Sequence, residues 1–204
     1  MTLVNSGTIN ANQSTALIIQ DGSGAAATNT GTLEATAGGT LRLQSTTFTN
    51  TGGTISANGS TLQVNGSTIN GGAVTLTGAS TLQLNTGAIH GGSTLTNSAT
   101  GTIELVSGVN TLGGTINNSA GGTFKLDNGA VLDLEAGTYS QLGTVQVNGA
   151  NFGTGIVLQG NVTLSGGTVT LSNNGANFIE GAATADTLPI TERYRVRGAW
   201  GTGR

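Results

Sequence analysis

Thr40-Leu41-Arg42-Leu43, Thr61-Leu62-Gln63-Val64, Thr81-Leu82-Gln83-Leu84, Thr102-Ile103-Glu104-Leu105, Thr123-Phe124-Lys125-Leu126 and Thr144-Val145-Gln146-Val147 repeat one pattern, threonine, apolar, polar, apolar, every 20 or 21 residues. Alternation at period two makes each copy a short strand with both apolar side chains on one face. A second series, Leu33, Ile55, Val74, Leu95 and Ile116, precedes the tetrapeptide in each period and steps by 22, 19, 21 and 21 residues. A third, Phe48, Ile69, Ile89 and Val109, continues to Val131 and Phe152, each residue close to a polar turn.

Three strand positions per period, separated by Gly, Asn and Ser turns, predict an all-β chain wound as a parallel β-helix, or β-solenoid. The coils should hold about 20 to 21 residues and number about eight, a stack of roughly 35 to 40 Å. A meander of hairpins needs no such period. In a solenoid, residues one period apart lie about 4.8 Å above one another, so like residues form columns. Leu41, Leu62, Leu82, Ile103, Phe124 and Val145 form an apolar inner column. Arg42, Gln63, Gln83, Glu104, Lys125 and Gln146 form an outer one, in which the adjacent charges Glu104 and Lys125 have opposite sign.

Composition narrows the function classes. Charged residues are 7% and aromatic residues 3% of 204, with 36 Gly, as many Thr, no Cys and a single Pro, Pro189. Long helices, collagen and a disulfide framework are excluded on that inventory. The net charge of −3 offers no footprint for nucleic acid, and no apolar run approaches the roughly 18 residues of a membrane span. Residues 1–20 show neither a basic leader nor a continuous apolar stretch, so no signal peptide is expected there. The abrupt start of the repeat at Gly7-Thr8-Ile9 points to a segment of a longer chain.

Residues 1–180 are read as the solenoid and 181–204 as a C-terminal cap, linker or docking tail. Arg193, Arg195, Arg197 and Arg204 are four of the six basic residues of the chain. With Tyr194, Val196 and Trp200, the first three of these arginines are the candidate assembly contact, since a solenoid end offers a strand edge that invites pairing.

Chemical candidates are few. His90, the only histidine, follows Ile89 as Asn70 follows Ile69 and Asn110 follows Val109, which assigns it to a column of turn residues. Asp127, Asp133 and Glu135 are the densest acidic group, near Lys125, and are the candidate acidic site for a carbohydrate-active enzyme or weak calcium binding. Alternation puts Asp133 and Glu135 on one outer face about 7 Å apart. An aromatic platform for a sugar is missing from the pattern, because Phe48, Phe124 and Phe152 fall at inward positions. The outward threonines raise the idea of an ice-binding lattice, which the charges of Arg42, Glu104 and Lys125 on that face oppose. No catalytic triad, cofactor or metal is expected.

The phrases Asn29-Thr30-Gly31-Thr32-Leu33-Glu34-Ala35, Phe48-Thr49-Asn50-Thr51-Gly52-Gly53-Thr54-Ile55-Ser56-Ala57 and Ile69-Asn70-Gly71-Gly72 resemble the β-strand repeats of large bacterial secreted proteins, the autotransporter passengers and filamentous-haemagglutinin-like adhesins. The resemblance covers roughly residues 5 to 150. It implies a right-handed parallel β-helix at the bacterial cell surface or outside the cell, acting as stalk, adhesin or matrix component, and carries over no catalytic residues. The function expected is structural or adhesive and non-enzymatic. A fibre subunit joined head to tail and a carbohydrate-active enzyme are the alternatives. Expected partners are a second copy, met end to end or through the tail, or a host or cell-surface ligand.

Overall fold

A computed structural model of the protein describes residues 2–21, 26–183, 187, 190–191 and 196–197, the last two pairs by their backbone alone. The described chain is all-β and its strands pair in parallel, wound as a solenoid of about eight turns. Each coil has a leading, a middle and a trailing side. In one coil these are Thr47–Thr49, Thr54–Asn58 and Thr61–Asn65.

The tetrapeptide series is the trailing side. Starting from Leu17–Gln20, the trailing strands stack through Thr40–Gln44, Thr61–Asn65 and Thr81–Asn85 and end on Thr168–Leu171 and Val196–Arg197. Leu41, Leu62, Leu82, Ile103, Phe124 and Val145 lie in one register column and are buried, as the periodicity requires. The threonine that opens each strand and the polar residue at its centre face outward. A single coil cannot enclose its own apolar side chains, so burial comes from the coils above and below. The second series supplies the middle side, where Leu33, Ile55, Val74, Leu95 and Ile116 form an unbroken buried column.

The corners are built by backbone that only certain residues allow. At Gly71 and Gly72 the φ angles are 76° and 68°, and the strand Thr68–Thr77 bends there from leading to middle side. A Cβ at Gly72 would overlap the carbonyl oxygen of Asn50, so the position needs glycine for space as well as for angle. Inside the same corner Asn5, Asn29 and Asn50 stack as a buried amide ladder. Asn5 Nδ2 donates to Asn29 Oδ1 (2.7 Å), and Asn29 Nδ2 donates to Asn50 Oδ1 (2.6 Å) and to the Thr54 carbonyl (3.2 Å).

The third series is correct at Phe48, Ile69 and Ile89 and then slips. Ile89 stacks on Leu112, whereas Val109 pairs with Val131 on the outside and is 54% exposed. Phe152, expected inward, is 66% exposed. The reason is that the leading side lengthens. Early coils bury one apolar leading residue each, whereas later ones bury Leu132 with Leu134 and Ile156 with Leu158. The corner into the trailing side shortens: four residues lie between Asn97 and Thr102 and between Asn118 and Thr123, but two between Gln141 and Thr144. Asn97 and Asn118 donate to the carbonyls of Gly101 and Gly122 in those longer corners. Gln141 meets no such carbonyl, and its buried Nε2 has no partner. It borders a cavity of about 30 Å³ between Phe124, Leu132, Tyr139 and Ile156 in the widened core.

Strand pairing continues past residue 180. The backbones of Ile190–Thr191 and Val196–Arg197 stack in register on Leu164–Ser165 and Val169–Thr170. Arg193, Tyr194, Arg195 and Trp200 lie outside the described residues.

Candidate functional site

The outer column of the trailing side is a continuous polar chain. Arg42 Nε donates to Gln63 Oε1 (2.7 Å), Gln63 Nε2 to Gln83 Oε1 (2.8 Å) and Gln83 Nε2 to Glu104 Oε2 (2.8 Å). From the other direction Lys125 Nζ donates to Glu104 Oε1 (2.7 Å) and pairs with Asp127 Oδ1 (2.8 Å). Two cations therefore point their donors, directly or through amides, toward one carboxylate. Burial pushes the Glu104 carboxyl up, but the hydrogen bonds of Lys125 and Gln83 and the lysine charge outweigh it and hold the group below its usual value. Asp127 first, and Glu104 second, raise the Lys125 ammonium.

The acidic trio does not form one site. Asp127 closes the trailing strand beside Lys125, whereas Asp133 and Glu135 stand on the following leading side, with Thr111 and Val157 as the register neighbours of Asp133. Within the trio only Asp133 and Glu135 share a face. Glu135 is engaged elsewhere.

The residue it meets is His90, 45 positions earlier and two coils below. The His90 Nδ1–H donates to Glu135 Oε1 (2.7 Å), and the Gly91 N–H donates to Oε2 (3.2 Å). Register explains the reach. His90 pairs with Asn70, as the sequence reading held, but the residue above it is Gly113 and not Asn110, which is buried in line with Leu132. Gly113 leaves open the space through which the carboxylate passes; a Cβ there would overlap Glu135 Oε2. The paired glycines at 71–72 and 91–92 align Ile69 with Ile89, but matching 113–114 to 91–92 would set Leu112 opposite His90, so the step from Ile89 to Leu112 has no mark in the sequence. Tyr139, on the same long strand, donates its hydroxyl to the Glu135 carbonyl (2.6 Å), and burial pushes that hydroxyl up to about 12.

A carboxylate holding an imidazole by Nδ1 fixes its tautomer, which is the first requirement of acid–base chemistry. The pair also ties one coil to the next but one. Among the described residues no group of three or more His, Cys, Asp or Glu is placed to hold a metal ion. Among those residues no helix is long and apolar enough to cross a membrane. Neither a protein-family model, nor a curated protein, nor a solved structure matches the chain.

Proposed function

We propose that the chain is a non-enzymatic, structural or adhesive β-solenoid, a stalk or adhesin segment of a secreted bacterial surface protein. The observation that carries this reading is the direction of the bonding. Backbone ladders, the Asn5–Asn29–Asn50 ladder and the chain from Arg42 to Lys125 all run from coil to coil along the solenoid axis. Such an object holds a fixed distance between its two ends. The extracellular setting comes from the resemblance of its repeats to secreted bacterial surface proteins.

Pulling the chain by its termini in a force spectrometer tests the reading. Coils held mainly by their neighbours should detach singly, each releasing about 65 Å, the extended length of 21 residues less one strand spacing. A single release of the whole contour at low force would be incompatible with a load-bearing segment.

A further inference from the structure

One strip of surface differs in kind from the rest. On the leading side of the upper coils, Val109, Val131, Gly155 and Phe178 form one outward column, and Thr111, Asp133, Val157 and Glu180 form the column beside it. The Phe178 ring covers Gly155, where a Cβ would collide with it, and Phe152, from the loop before Gly153, lies against Gly129. Two of the four phenylalanines thus stand at the surface, in a molecule whose outward positions are otherwise mostly Thr, Ser, Asn and Gln. Asp133 and Glu180 edge the strip, and neither has a cationic partner among the described residues. An exposed apolar patch with a one-sign edge is the anatomy of a docking surface.

The charge of the chain is divided in a way that fits it. Residues 1–183 carry seven acidic groups (Asp21, Glu34, Glu104, Asp127, Asp133, Glu135, Glu180) against Arg42 and Lys125, a balance of −5. Residues 184–204 carry Arg193, Arg195, Arg197 and Arg204 against Asp186 and Glu192, a balance of +2. The same stretch holds Tyr194 and Trp200. We propose that the strip of Val109, Val131, Phe152 and Phe178, with its edge of Asp133 and Glu180, docks the basic, aromatic segment 193–200 of a second copy of this chain. In the chain itself the Val196–Arg197 backbone pairs with Val169–Thr170 of the trailing sheet, a different side from the strip. Strip and segment are different surfaces, so the contact is heterologous and leaves each molecule with one free donor and one free acceptor. Arginine and aromatic side chains against a carboxylate-edged apolar strip combine ion pairing with cation–π contact. The inference does not rest on the stalk reading and would stand if the chain had another activity.

Sedimentation velocity of the full chain over a concentration series tests it, with circular dichroism and melting curves to show that each variant is folded. The parent should associate with concentration, and less so at high salt. Phe152→Ser, Asp133→Lys with Glu180→Lys, and Arg193→Glu with Arg195→Glu should each weaken association at least about tenfold. Mixing the two charge-reversed chains should restore it. A parent that stays monomeric throughout, association that survives all three changes, or charge-reversed chains that fail to recombine would each overturn the proposal. Phe152 is exposed, so its replacement leaves the core intact and keeps the comparison informative should a charge variant fold poorly.

Discussion

Asn29 shows how a polar residue becomes structural when its position is set by stacking. It is buried, accepts from Asn5, and donates to Asn50 and to the Thr54 carbonyl. Replacing it by alanine strands partners on both sides. Asn29→Ala should therefore cost about 2 to 4 kcal/mol in a urea titration, since each orphaned buried group is worth roughly 1 to 3; a loss under about 0.5 kcal/mol would mean that water satisfies the ladder. The sequence contains the clue, since Asn29 and Asn50 stand one period apart before Thr-Gly and Thr-Gly-Gly. An asparagine beside glycine nevertheless reads first as a solvated turn. Only the column neighbours reveal that it faces inward. His90 is legible as the register neighbour of Asn70, although it lies in a strand and not in a turn, and its partner Glu135 is 45 residues away and reaches it because Gly113 has no side chain. Contacts that skip a coil leave no periodic mark.

At the scale of the strand, the trailing side was legible and the leading side was not, for a physical reason. A tetrapeptide with two inward positions fixes its own register, because a slip of one residue would turn both apolar groups to solvent. The early leading strands bury a single apolar residue each, so nothing in the local pattern prevents Val109 from being read in place of Leu112. The trailing side also carries the pH dependence. Glu104 is depressed in the folded chain, so its contribution is present above the ordinary value of 4.5 and is lost as pH falls through the folded value. Lys125 is raised, so its contribution is present below 10.5 and is lost as pH rises through the folded value. The column is at full strength between these limits. Glu104→Gln should lower stability at pH 7 by about 1 kcal/mol or less, because the pair is partly exposed, and should flatten the acid limb of the stability profile. Urea midpoints at pH 7 and pH 3 measure this; equal acid slopes in parent and variant would assign the acid sensitivity to other carboxylates.

The whole molecule behaves as the sum of its coil-to-coil contacts, because each coil touches mainly the ones before and after it. Stability should therefore be graded along the axis. Hydrogen exchange resolved by residue should find the slowest amides in the coils around Leu82 and Ile103 and faster exchange toward both ends. A single protection factor along the entire chain would show that the coils unfold as one unit. Period, coil number and the inner columns of the trailing and middle sides followed from the repeat, whereas the widening past Leu112 did not, since at first it trades two residues between a side and a corner while keeping the spacing at 21. That trade has a consequence for how such a gene can change. From Thr144 to Thr168 the step is 24 residues, and the trailing strands still stack residue for residue. Insertions of a few codons are absorbed at corners, whereas a single codon within a side would invert every face downstream of it in that strand. Duplication of one whole period would add about 4.8 Å and disturb no column. Length is thus the property that heredity can most easily adjust in this molecule, in steps of one coil.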